Sequence, residues 1–214
     1  MAFRFRSAAQ GPSRFNFSFP QQALHRPAPG AHAPLKAQRQ DVTTIIPLET
    51  QDDAAIEGLL DAAFGADRHG RTAYAIRRGM RWLPELSFAC IDGNGSMIGL
   101  LQSWPIAIAA DTGGTTDLVM VGPVAVHPDH QGGGHGRAMM DALMTKARQL
   151  HSAPLVMIGD PEYYGRFWGF SAEHTAGWRV PGPVEQRRLL AIALNGETLP
   201  ASGMLGPRAN QQAA

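Results

Sequence analysis

The stretch Gly122-Pro123-Val124-Ala125-Val126-His127-Pro128-Asp129-His130, continued by Gln131-Gly132-Gly133-Gly134-His135-Gly136-Arg137, decides how this chain is read. Its first half is apolar and rich in valine, which suits a buried strand, and His127-Pro128 ends that strand because proline cannot donate to a ladder. Its second half is glycine-rich and leads into Met140, Leu143, Met144, Ala147 and Leu150, which recur at helical spacing. With the apolar run 155–158 behind it, the order strand, glycine loop, helix, strand reads as a βαβ unit. The first N–H groups of such a helix lack intrahelical acceptors and face a positive dipole end, so the loop suits an anion, above all phosphate. Glycine serves there because a Cβ would hold the anion away and because some loop positions need positive φ.

Two familiar phosphate loops do not fit. A nucleotide P-loop needs G-x-x-x-x-G-K-[ST], and no Lys, Ser or Thr follows the last glycine here. A dinucleotide fingerprint needs G-x-G-x-x-G after the first strand of the domain. From Gly132 or Gly134 its third small position falls on Arg137 or Met139, and the loop comes late in the chain.

Working outward, residues 42–46 read as a first strand. Thr50 with Asp53 resembles a capping box ahead of Ile56, Leu59, Leu60, Ala63 and Phe64 at helical spacing. A short helix is expected over 71–79 and a strand over 86–91. The turn Asp92-Gly93-Asn94-Gly95 leads to a strand over 97–109, and Asp111-Thr112-Gly113-Gly114 to a strand ending at His127. After 155–158 come a short helix over 161–167, with Pro161 at its start, and a closing strand over 188–194. Residues 196–214 are small, polar and unpatterned, and read as a flexible tail.

Composition bounds the function. The chain has 214 residues, 44% hydrophobic and 17% charged, enough for one cored domain with an extension. No apolar run approaches the roughly 20 residues of a membrane helix, so no membrane association is expected. The single cysteine, Cys90, excludes an internal disulfide framework and a Cys-based zinc site and points to a reducing compartment, the cytoplasm. Residues 1–40 carry Arg4, Arg6, Arg14, Arg26, Lys36 and Arg39 and no acid, and read as a disordered basic leader or a misassigned start. Residues 41–214 hold 13 bases against 18 acids, a net of −5, so no nucleic-acid surface is expected there. His127, His130 and His135 have the spacing of a loose cluster, but their loop needs free amides, and no metal is expected.

The pattern Q-x-x-G-x-G at Gln131–Gly136, after a strand ending in His-Pro, resembles the pyrophosphate loop of the GCN5-related N-acetyltransferase (GNAT) superfamily. Pro161-Glu162-Tyr163-Tyr164-Gly165-Arg166-Phe167, then Gly169-Phe170, resembles that family's tyrosine and Gly-Phe segment. Gly159-Asp160-Pro161 and Val180-Pro181-Gly182-Pro183 are similar to its YhbS-like branch. The resemblance spans about residues 42–195 and implies an N-acetyltransferase domain over 41–195. The implied fold is α/β (α+β), with a mixed central sheet of about six to seven strands, flanking helices and a splayed strand at the acyl-CoA site.

The resemblance also implies acetyl-CoA as co-substrate. Val124, Ala125 and Val126 would pair with its pantetheine arm, and Gln131, Gly132, Gly133, Gly134, His135, Gly136 and Arg137 would wrap its pyrophosphate. The acetyl group would pass directly to an amine acceptor in a ternary complex, with Tyr164 or Tyr163 as the acid that protonates the leaving thiolate. Four residues separate Tyr164 from Gly169 where the family usually has three. One helical residue turns the face by about 100°, so both tyrosines stay candidates. Asp117, His127 and Glu85 are candidate bases, and His69, Arg71 and Tyr74 lie where the fold builds its acceptor pocket. The alternative is a non-catalytic acyl-CoA sensor or interaction module, favoured by the additional Trp168. A homodimer is compatible with either.

Overall fold

A computed structural model describes residues 43–209, so the expectations for 1–40 and for the last five residues fall outside it. Strand β1 (Thr44–Pro47) is followed by helix α1 (Asp53–Phe64) and the short α2 (Thr72–Ile76). Then come the meander strands β2 (Phe88–Ile91), β3 (Met97–Ala110) and β4 (Thr115–Val126). Helix α3 (His135–Gln149), β5 (Leu155–Ile158) and α4 (Pro161–Trp168) follow, and β6 (Gly177–Arg179), β7 (Leu189–Ile192) and β8 (Ser202–Pro207) close the chain. The fold is mixed α/β. The sheet runs β1-β2-β3-β4-β5-β7, with β8 on the far half of β3 and β6 on β8, and only the β4·β5 and β6·β8 pairs are parallel.

Helices α1 and α2 cover one face and α3 and α4 the other. Leu48, Ile56, Leu59 and Leu60 pack on Ala89, Leu100 and Ala125, and Ile76 packs with Ile106, Ile108, Leu118 and Met120. On the opposite face Met139, Met140, Leu143 and Met144 meet Leu101, Val119 and Val121. The N-cap of α1 is Asp52 rather than the expected Thr50, because its carboxylate accepts from the amides of Ala54 (3.0 Å) and Ala55 (3.2 Å). Thr50 instead donates to the Pro47 carbonyl.

Two expectations need correction. The sheet has eight strands, not six to seven, and the segment read as a flexible tail contains the eighth. β8 pairs residue for residue with Ile106–Ala110, and Leu205 is 1% exposed. Beyond it Arg208 donates to the Leu118 carbonyl at 3.0 Å and pairs with Asp117. The composition hid this strand because it is short and glycine-containing, and one glycine serves close approach: a Cβ at Gly203 would strike the Ala109 carbonyl.

One irregularity positions the site. Leu101 pairs with Val124 but Ser103 with Val121, so a single β3 residue, Gln102, faces both Gly122 and Pro123. The inserted residue reverses the side-chain alternation of β4: Val121 points into the α3 core before it, and Ala125 into the α1 core after it. Proline is tolerated there because no ladder donor is required of it.

Truncation after Asn195 is expected to lower the melting temperature by about 5 °C or more, since burying one leucine alone is worth about 1.5–3 kcal/mol. Thermal denaturation of the truncated and full chains checks this, and equal melting would restore the flexible-tail reading.

Candidate active site

The parallel ladder between β4 and β5 holds for only two pairs, Val119 with Leu155 and Met120 with Val156. Beyond them β4 continues to Val126 with β3 as its only strand partner among the described residues, and this is the splay. The direction of its free groups follows from one bond, in which the His127 amide donates to the Ile98 carbonyl at 2.8 Å. Donors alternate along an extended strand, so Ala125 also faces β3, while Val124 and Val126 present their N–H and C=O to the open edge. The Gln131 side chain, 3.5 Å from the Val126 carbonyl on that edge, agrees with this. The expected trio Val124, Ala125 and Val126 thus divides: two main chains are available, and that of Ala125 is committed to β3.

The glycine loop starts where the splay ends. Gly132 (φ +85°) and Gly134 (φ +79°) adopt the left-handed region, and a Cβ on either would meet open space, so backbone geometry alone requires glycine there. At Gly133 a Cβ would meet only the His135 imidazole, a side chain that would have to turn from its present place, where its Nδ1 lies 3.8 Å from the buried Cys90 Sγ. At Gly136 a Cβ would lie in ordinary contact with Val124 and Val126, so α3 begins directly over the splayed strand. No side chain caps α3, and the amides of Gly134, His135 and Gly136 find no backbone acceptor outside the regular elements. Two main-chain positions on β4 and a ring of helix-end amides therefore form one continuous line of donors. Such a line fits an extended ligand with an amide-bearing arm and a diphosphate, held without a metal.

Arg137, expected among the phosphate contacts, has its guanidinium 4.3 Å from the Phe167 ring and 3.9 Å from Asp141. Asp141 also accepts from the Trp168 indole at 2.8 Å. The additional residue Trp168 is therefore the last residue of α4 and a tie to α3, followed by Gly169 in the left-handed cap position.

The two tyrosines separate by environment. The Tyr164 ring lies against Gly159, just past the end of β5, where a Cβ would come within 2.6 Å of it. Burial and the neighbouring Tyr163 push its phenol up to about 12. Tyr163 is 40% exposed, packs on Phe167 and Trp168, and feels Arg137 and Asp141, with burial raising its phenol as well. Tyr164 thus faces the end of β5, beside the splay, and Tyr163 faces the start of α3.

Of the candidate bases, Asp117 lies far down β4 in an ion pair with Arg208, away from the splay. Glu85 is in an exposed turn before β2, and His127 ends β4 with its Nδ1 3.4 Å from the Asp129 amide. On the other face the His69 and Tyr74 rings meet at a tilt, with centroids 4.8 Å apart, Arg71 donates to the Phe64 carbonyl, and Thr72 donates to the Pro183 carbonyl, joining α2 to the 180–183 loop. Sequence reasoning missed Arg77, which is 4% exposed and donates to the Gly122 carbonyl. It had no separate signal in the sequence, because Arg78 and Arg81 beside it make the segment read as a basic surface. Among the described residues no group of three or more His, Cys, Asp or Glu is arranged to hold a metal, and no helix is long and apolar enough to cross a membrane.

Comparison with known proteins agrees with this architecture. Residues 54–162 match the model of the Acetyltransferase (GNAT) family. The Uncharacterized N-acetyltransferase YhbS of Escherichia coli strain K12 is 30% identical over 154 residues, which cover 69% of this chain and 87% of that protein. The crystal structure of E. coli YhbS in complex with CoA superposes with a TM-score of 0.58, covering 86% of this chain and 94% of that one, at 22% identity over this longer alignment. A GNAT acetyltransferase from Brucella melitensis, in complex with acetyl-CoA, gives 0.56 at 24% identity, covering 79% and 97%. At these identities the two crystal structures show a shared fold. The chain belongs to the acetyltransferase (GNAT) family, on its YhbS-like branch.

Gly134→Val forces a β-branched residue into positive φ, a strain of about 1–2 kcal/mol at the centre of the donor line. Calorimetric titration with CoA is expected to show at least a tenfold loss of affinity, whereas Gly136→Ala should stay within about threefold of the unaltered protein. Equal losses in both would contradict the separate roles of these glycines.

Proposed function

We propose that this enzyme moves the acetyl group of acetyl-CoA directly to an amine, both bound at once around the splay. The observation that carries this is the open main-chain edge at Val124 and Val126, followed after one short turn at Pro128–His130 by the glycine loop. Acetyl-CoA supplies the activated acyl group as a thioester. The loop amides hold its diphosphate, the open edge of β4 orients its arm, and the Val124 N–H is the donor available to polarise the thioester carbonyl. The neutral amine attacks the carbonyl carbon, the carbon–sulfur bond breaks, the departing thiolate takes a proton from Tyr164, and the amine proton passes to water or a base.

Tyr164 is the better-supported acid because its ring closes the end of β5, while Tyr163 serves the contact between α3 and α4. Burial pushes the Tyr164 phenol up to about 12, which keeps it protonated in the neutral range but makes it a weaker acid than an ordinary phenol, so the assignment stands on its place against Gly159 and not on its acidity. The sensor alternative rests on Trp168, and that residue is engaged with Asp141 without displacing Tyr164 from β5. A reducing setting, the cytoplasm, suits the free, buried thiol of Cys90.

Thiol release from acetyl-CoA across a panel of amines tests the activity. Stabilisation by CoA without thiol release for any amine would favour the sensor, and no stabilisation would defeat both. Among the variants, Tyr164→Phe should lower turnover by about tenfold to a hundredfold, with Tyr163→Phe near the unaltered rate. Turnover unchanged in both would remove the acid role.

Burial of Tyr164 also sets a pH window. An unfolded phenol releases its proton near 10 and the folded one near 12, so the unfolded state binds fewer protons between those values and stability falls as pH rises. Denaturant midpoints should be flat below about pH 9.5 and decline above pH 10, and Tyr164→Phe should flatten part of that decline.

A further inference from the structure

Arg77 is a buried cation with an unusual set of neighbours. It follows directly on α2, and its side chain turns inward toward the sheet, 4% exposed. Its guanidinium carbon lies 4.2 Å from the Tyr74 ring centroid and 4.2 Å from that of Trp104, and its Nη1 donates to the Gly122 carbonyl at 2.6 Å. No carboxylate is ion-paired with it among the described residues: the acids nearest this face, Glu57 and Asp61, are bound to Arg68. Burial lowers its guanidinium to about 10, which still leaves it charged at neutral pH. Taking a charge from water costs several kcal/mol, offset by two ring faces, the Tyr74 hydroxyl and the charge-assisted hydrogen bond to Gly122. A site that needed only packing would be filled as well by an apolar side chain.

The Gly122 carbonyl shows what the charge does. Gly122–Pro123 is the inserted step of the bulge, and because proline has no N–H, its carbonyl is the only handle by which hydrogen bonding can hold that peptide plane. β5 has already left β4 at Met120, so no neighbouring strand is recorded to take over. The next N–H along the chain is that of Val124, the first free donor on the open edge. Whatever holds the Gly122–Pro123 plane therefore aims the Val124 amide.

We propose that Arg77 is a positioning residue, which grips the Gly122 carbonyl from the acceptor face and thereby orients the Val124 N–H toward the thioester carbonyl of bound acetyl-CoA. The inference rests on the reading that acetyl-CoA binds along the splay. It assigns to α2 a part in activating the acyl donor, although α2 lies across the sheet from the glycine loop. Tyr74 and Trp104 hold the guanidinium in place and do not touch the donor line.

Difference infrared spectroscopy with acetyl-CoA labelled with 13C at the acetyl carbonyl reads the aim of that amide directly. In the unaltered protein the bound carbonyl band should lie below that of free acetyl-CoA. In Arg77→Met it should move back toward the free position, with thiol release to hydroxylamine slowed at least tenfold and the calorimetric Kd for CoA within about threefold. A loss of packing alone would shift Kd and melting temperature and leave the band in place. If Arg77→Met does not accumulate folded, Arg77→Gln, neutral but still a donor, decides the matter: an intermediate band and rate support the role. An unaltered band and rate in whichever variant folds overturn it. An unaltered protein that binds no acetyl-CoA overturns the reading beneath it and the role of Arg77 together, whereas binding with a variant band at its unaltered position overturns Arg77 alone.

Discussion

The site depends on the main-chain hydrogen bonding of one strand edge. β4 lies inside the sheet, where every peptide group needs a partner, yet its bonds to β5 stop after Met120 while the strand runs on for six residues. An interior strand with one bare edge is a standing demand for a ligand rich in alternating donors and acceptors. Over that stretch α3 starts on the sheet face above Val124 and Val126, with Gly136 close against both side chains. The donor line is thus a consequence of how the sheet divides, and the glycine loop extends it.

Electrostatics reinforce the same conclusion by what they lack. Residues 41–214 are net negative by five, so a phosphate ligand gains nothing from the domain's overall field. Arg137, the one cation in the first turn of α3, is engaged with Phe167 and Asp141. On the proposed reading, oriented amides and the helix end would carry most of the anion binding, with a strength that depends on geometry more than on charge. Positive φ requires glycine at Gly132 and Gly134, and Gly133 leaves the His135 ring where it lies.

Much of this was legible in the residues, and the limits have physical causes. Strand, glycine loop and amphipathic helix could be read because each has its own period or composition, and the loop fell where expected. β6 and β8 could not, because strands of three and six residues rich in glycine carry no alternation and are held by neighbours distant in sequence. The separation of Tyr163 from Tyr164 was also out of reach. Spacing along a helix shows that two residues face differently, but which one meets the sheet depends on how Trp168 and Asp141 dock α4 on α3. Arg77 was invisible for the opposite reason: an arginine in a basic run with Arg78 and Arg81 usually reaches solvent, and only the sheet on that side shows that it does not.

The bulge joins these observations. One inserted residue reverses the alternation of β4, so that Val124 and Val126 turn their side chains to α3 while Ala125 enters the α1 core. Without the insertion, the residues after Val121 would present the opposite faces, and the start of α3 would rest on a different pair of side chains. The bulge also contains the one peptide on β4 that lacks an N–H and must be held through its carbonyl. The sequence feature that orients the donor face, Gly122-Pro123, is therefore the same one that reaches across to α2 and Arg77, and a single insertion couples the two faces between which acyl donor and acceptor would meet.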